Sequence, residues 1–147
     1  MKGRIAKQIF VLAGVAFGVT TATYAASDQE AAGKVVVQPL LSTNVTSSGQ
    51  PIVLPRDATV VFSMYEIPAG AKLPEHKHLY PRYGYMLSGE LRVTNTVTGK
   101  SATYKSGQVI IEAIDQWHHA ENTGTEPVKL LVIDQLAKPG GNVVLQK

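Results

Sequence analysis

The chain has 147 residues, with 14 basic and 11 acidic side chains and no cysteine. That length and an ordinary composition fit one domain, and the missing cysteine excludes disulfides, thiolate metal ligands, cysteine nucleophiles and a lipid attached at a cysteine. The net charge of +3 belongs to the start of the chain: Lys2, Arg4 and Lys7 precede the first acid, Asp28, and from residue 26 onward basic and acidic residues are equal in number. A neutral remainder argues against nucleic acid or an acidic membrane surface as partner, since both need a basic face on the folded part.

In chain order, residues 1–25 read as a signal peptide. A basic start leads into an apolar run, Ile9 to Val19, and then a small polar tail with Thr23, Tyr24 and Ala25 at a cleavage site. The run is shorter than the roughly 18 apolar residues that span a bilayer, and no other stretch is a candidate. The expectation is an exported protein, periplasmic or secreted, without a membrane span after cleavage; an uncleaved anchor is the alternative. Residues 26–58 read as an N-terminal extension with edge strands: a strand at Val35–Val37, and a polar, proline-bounded loop with one edge strand at Leu40–Pro55.

From residue 59 to 135, short runs rich in β-branched residues and tyrosine alternate with turn signals. The expected strands are Thr59–Ile67, Ala71–His78, Arg82–Leu87, Leu91–Val97, Ser101–Lys105, Val109–Glu112, Gln116–Glu121 and Val128–Gln135. Pro68-Ala69-Gly70, Ser88-Gly89, Thr98-Gly99, Ser106-Gly107 and Thr123-Gly124 punctuate them. No window of the mature part carries a helical period. The fold class is therefore all-β, a sandwich or barrel, followed by a C-terminal segment at 136–147.

The four histidines are His76, His78, His118 and His119. Successive strand side chains alternate faces, so His76 and His78 point one way and Glu75 and Lys77 the other. His118 comes from a later strand, and His119 must face away from it. Two imidazoles two apart on one strand, joined by one from a neighbour, form a set that suits Fe, Mn, Ni, Cu or Zn. On spacing alone, His76-Lys77-His78 is equally a polar strand edge beside a turn.

The order of motifs resembles the cupin superfamily, in the manner of a small single-domain bacterial cupin. The first cupin motif is glycine, five residues, His-x-His, three or four residues, glutamate, six residues, glycine; here stand Gly70, His76, His78, Arg82 and Gly89 at that spacing. The second is glycine, five residues, proline, one residue, glycine, two residues, histidine, three residues, asparagine; here stand Gly107, Ala113, Asp115, His118 and Asn122. The resemblance implies a conical antiparallel jelly-roll barrel, a divalent transition metal on His76, His78 and His118, and a homodimer. It does not choose a function, because the fold hosts enzymes and binders alike.

The departures are informative. Arg82 replaces the glutamate that serves the family as fourth ligand, and a guanidinium has no lone pair to donate. At about 6 Å and an effective dielectric of about 20 it repels a divalent ion by roughly 5 kcal/mol. Arg82 then swings outward, or holds an anionic ligand against the metal, or binds an anion in a metal-free site. Tyr80 shares parity with His76 and His78 and is a candidate weak ligand or pocket-rim residue. Glu75 has the wrong parity, and Glu112 sits before the second-motif turn. Gly84 would leave room in the barrel for a small ligand, while Tyr83, Tyr85 and Leu87 face the other way, where the tyrosine pair suits a dimer sheet or, equally, ordinary core packing. The leading expectation is a metal-binding cupin acting on or binding a small anionic or oxygen-rich ligand, a dioxygenase or isomerase-like enzyme if catalytic. Its rivals are a non-catalytic ligand-binding or sensing module and a degenerate metal-free cupin of the cell envelope. No residue stands out as a general base beyond Tyr80 and a water held by the ion.

Overall fold

The computed structural model describes residues 34–147; the leader and its cleavage site lie outside the described residues. The turn signals separate nine strands: β1 Thr59–Ile67, β2 Lys72–His78, β3 Arg82–Ser88, β4 Glu90–Asn95, β5 Lys100–Lys105, β6 Val109–Ile111, β7 His118–Asn122, β8 Val128–Leu136 and β9 Val143–Leu145. They form two sheets, one ordered β1-β8-β3-β6 and the other β5-β4-β7-β2-β9. Every named pairing is antiparallel. Two facing sheets of this kind make a jelly roll, as the motif order implied.

Period-two alternation builds the core between the sheets. Along β8, Val128, Leu130, Val132, Asp134 and Leu136 turn inward. Ile67, Met86, Leu91, Ile110 and Ala120 meet them from other strands. The Ser88-Gly89 turn requires glycine twice over. Gly89 has φ +81°, and a Cβ there would lie 2.8 Å from Val128 Cγ2 and 2.9 Å from its Cα, a conformation and a contact that L side chains rarely tolerate.

Three expectations need correction. Val35–Val37 is exposed and in no strand; strand propensity without a partner strand leaves the ladder groups unpaired. The Leu40–Pro55 segment carries one bridge, Val45 to Pro51, and is tied to the barrel by Gln50, which pairs through its amide with both backbone groups of Ile114 (2.7 and 2.9 Å). Third, the strand expected at Gln116–Glu121 begins only at His118. Asp115 takes φ +53°, the left-handed conformation of the glycine it replaces, which Asp tolerates better than most residues. The substitution therefore keeps the turn.

β9 lies in the C-terminal segment that the sequence reading left without structure. It pairs with the histidine-bearing end of β2, with His76 opposite Leu145 and His78 opposite Val143. On its other side β2 pairs with β7, His76 standing directly opposite His118. A register irregularity falls between Leu73 and His76, where Pro74 has no N–H for the ladder.

Candidate metal centre

The geometry of β2 and β7 brings His76, His78 and His118 together inside the barrel, all three buried. Their ring centroids lie 4.4 to 5.0 Å apart, and one ring nitrogen from each falls within 4.8 Å of the others. The same local backbone fixes the tautomers. His76 Nδ1 lies 2.7 Å from the Pro74 carbonyl and His118 Nδ1 lies 2.9 Å from that of Gln116. A carbonyl only accepts, so each Nδ1 carries the hydrogen and each Nε2 presents a lone pair. His118 Nε2 stands 3.2 Å from His78 Nε2. Two nitrogens held about 2.0–2.1 Å from a shared tetrahedral ion would be roughly 3.3 Å apart.

Burial keeps these rings neutral. It is the first cause of the depressed pKa of His76, His78 and His118, and Arg82 pushes in the same direction at each. His78 is driven down to about 2. Among the described residues, its Nδ1 is the single buried side-chain polar atom without a partner. A deprotonated, dry, three-imidazole set is what a divalent transition metal requires.

Arg82 is not turned outward. It is 8% exposed, and its Nε and Nη2 donate to Asp134 Oδ1 and Oδ2 at 2.7 and 2.8 Å. Burial opposes its charge, but the Asp134 carboxylate overcomes this and raises its pKa. Asp134 is 5% exposed and also accepts from Asn142 Nδ2 at 2.6 Å. Asn142 in turn clamps both backbone groups of Tyr80. Asp134 and Asn142 went unseen in the sequence reading; parity along β8, where Asp134 follows Leu130 and Val132 inward, was the available signal.

The other candidates divide. Tyr80 lines a separate cavity with Gln50, Pro51, Leu79, Pro81 and Ile114, not the histidine pocket, because Pro81 turns the chain after β2. His119 faces outward as parity required and pairs with Glu75 at 3.1 Å. Glu112, which sequence reasoning set aside, is inside: 13% of its side chain is exposed and Oε2 lies 3.7 Å from His118 Nε2. Burial raises its pKa. Gly84 leaves no room, since a Cβ there would meet Leu130 Cδ1 at 3.0 Å and Ile110 Cβ at 3.4 Å; it permits close packing instead. The second-motif Asn122 is structural, donating to the Ile67 and Glu126 carbonyls and accepting from Gly124 N–H. The pocket shared by the histidines, Arg82, Glu112 and Tyr65 encloses about 20 Å³, enough for an ion or a water but not for an organic ligand.

Two packed antiparallel sheets around an inward-facing histidine triad define a small β-barrel with the makings of a metal centre. Residues 63–134 match the Cupin domain family, and the β-domain of this chain is a cupin domain. Among solved structures, it is similar to a double-stranded β-helix protein from Klebsiella pneumoniae, with 22% identity over 66% of this chain and 82% of that one and a TM-score of 0.52. It is similar to the polyketide cyclase RemF from Streptomyces resistomycificus, with 18% identity over 63% of this chain and 64% of that one and a TM-score of 0.51. It is also similar to the oxalate decarboxylase of Lactobacillus farciminis in a formate complex, with 22% identity over 59% of this chain and 26% of that one and a TM-score of 0.51. At these identities the likeness is one of fold. No curated protein matches the sequence.

Proposed function

We propose that this is an exported cupin that binds one divalent transition-metal ion through His76, His78 and His118 and takes a small anionic or oxygen-rich ligand at the ion's open positions. The observation that carries the reading is the pair of Nδ1–carbonyl contacts, which turns the Nε2 lone pairs of His76 and His118 into a buried pocket where His78 Nε2 lies 3.2 Å from that of His118. When bound, such an ion supplies Lewis-acid or redox chemistry. The chain's own part is to hold three neutral imidazoles in place, to exclude water, and to keep the Arg82 charge matched by Asp134.

After expression in metal-supplemented medium, the purified protein is expected to hold about one ion per chain by elemental analysis. His76→Ala should lose it, removing one of three imidazoles. A wild-type protein without metal under those conditions would sink the reading. One observation favours a second reading, a non-catalytic cupin whose pocket holds nothing larger than an ion and its water: the enclosed volume of about 20 Å³ admits no organic substrate or ligand in this conformation. Oxygen uptake with small carboxylates separates the two, since only an enzyme consumes oxygen catalytically.

We further propose a homodimer through the outer face of the β1-β8-β3-β6 sheet. Strand register lays out two apolar rows there: Phe62, Ile133, Tyr83, Ile111, and then Met64, Leu131, Tyr85, Val109. Phe62 is 66% and Met64 60% exposed, an open apolar patch of the kind that marks an interface. Sedimentation equilibrium should give a dimer for the wild type and a monomer for Phe62→Glu/Met64→Lys; a monomeric wild type at tens of micromolar would refute it.

A further inference from the structure

We infer that Glu112 is the fourth ligand of this centre, a carboxylate displaced by one strand from the place the first motif assigns it. The inference rests on the three-histidine reading above and adds a residue to it.

The first-motif position cannot supply the ligand, because it holds Arg82 and that fork is closed on Asp134. Glu112 is its neighbour across the ladder. β3 and β6 pair Tyr83 with Ile111, and Glu112 N–H donates to the Arg82 carbonyl at 3.0 Å, so the two residues stand side by side. Parity then decides the direction. Ile110 is fully buried while Val109 and Ile111 are only partly so, and Glu112 shares the side of Ile110. Its carboxylate lines the same small cavity as the three imidazoles.

Within that cavity the group is unusual. Asp134, the other enclosed acid, has both oxygens engaged by Arg82 and a further bond from Asn142. The Glu112 carboxylate faces His118 Nε2 at 3.7 Å, too long for a hydrogen bond. The Glu112 side chain keeps a small opening to solvent, 13%, and a cation beside His118 Nε2 would give its carboxylate a partner that the protein does not supply. Ligands about 2.0–2.2 Å from one ion can lie up to roughly 4 Å apart, and the 3.7 Å to His118 Nε2 meets that; the carboxylate stands outside the three-imidazole group whose ligand atoms lie within 4.8 Å of one another, so a side-chain rotation toward His76 and His78 completes the set.

Charge points the same way. Arg82 and Asp134 cancel, and the imidazoles are neutral, so a Glu112 that gives up its proton to coordinate the ion would bring one negative charge to the set. That is the charge the family's three-histidine, one-glutamate set presents to its ion. The arginine in the glutamate position is thus accommodated by two acids, one to neutralise it and one to coordinate.

The test uses the full chain stripped of metal with a chelator, titrated with Zn²⁺ against a competing indicator and, separately, with Co²⁺ followed by its ligand-field absorption. Glu112→Gln is expected to weaken Zn²⁺ binding by about tenfold or more and to change the Co²⁺ spectrum, because an amide oxygen replaces a carboxylate. The melting temperature of the metal-free variant should equal or exceed that of metal-free wild type, which separates a ligand role from a structural one. If Glu112→Gln binds Zn²⁺ as tightly as wild type with an unchanged Co²⁺ spectrum, while His76→Ala loses binding, Glu112 is no ligand and the three-histidine site stands alone. If wild type itself binds neither ion, both readings fall. A metal-free Glu112→Gln protein that melts well below wild type would also overturn the assignment, since it would make the carboxylate part of the scaffold.

Discussion

Asp134→Ala is expected to lower the unfolding free energy by about 3–5 kcal/mol, the usual cost of removing one partner of a buried ion pair. Against a typical total of about 5–15 kcal/mol, this is enough to leave the domain marginal. The reason is asymmetry. Arg82 and Asp134 are both almost fully buried and joined by two short hydrogen bonds. Together they nearly cancel, but Arg82 alone is an enclosed charge beside three neutral imidazoles. Asn142 loses an acceptor in the same stroke, and with it part of the clamp on Tyr80. Asp134→Asn should fall between the two, keeping an acceptor without the charge. The double change Arg82→Met/Asp134→Leu should recover most of the loss, because apolar replacement of a whole buried pair is often neutral or better. Urea unfolding of the four proteins reads this directly. A single variant, Asp134→Ala, within 1 kcal/mol of wild type would show that Arg82 finds water or another acceptor.

Much of this arrangement was legible in the chain. Strands β1 to β8 all fall within a residue or two of where turn residues and alternation placed them, because those signals are local. Convergence of His76, His78 and His118 followed from ordered motifs and parity. What was not legible depends on partners distant in sequence. β9 is three residues long and exists because the exposed edge of β2 accepts it. Val35–Val37 has the same β-branched character and no such edge. Arg82 read as a charge with three destinations, since nothing nearby in sequence names Asp134, 52 residues away, as its partner. Parity along β8 and β6 was the signal that could have marked Asp134 and Glu112 as inward acids. The missing step was to treat an acid at a core position as a demand for a counter-charge or a cation.

The metal-free protein should lose stability as pH falls below about 6.5, and the histidines set the sign. In the unfolded chain an imidazole titrates near 6.5; in the folded chain His78 stays neutral down to about 2. Below 6.5 the unfolded chain takes up a proton that the folded chain refuses, so each further pH unit favours unfolding by about 1.4 kcal/mol for this one group. Between pH 6.5 and 5 that is about 2 kcal/mol. His76 and His118 are depressed by the same burial and act in the same direction. Glu112 acts against them, because its raised pKa means the folded chain binds a proton more readily than the unfolded one, and stability from that group grows as pH falls through its window. Three depressed imidazoles outweigh one raised carboxyl at pH 5 to 6.5, where an ordinary carboxylate in the unfolded chain is still ionised. Urea midpoints of chelator-treated protein at pH 7.5, 6.5 and 5.5 should therefore fall steadily, and His78→Asn should flatten the slope by removing one of the refused protons. A flat wild-type profile would mean that the three rings are wetter than their burial implies. In that case protons and metal would compete for Nε2 in the folded state, whereas in a dry pocket the proton's penalty falls on folding and leaves the lone pairs free for the ion.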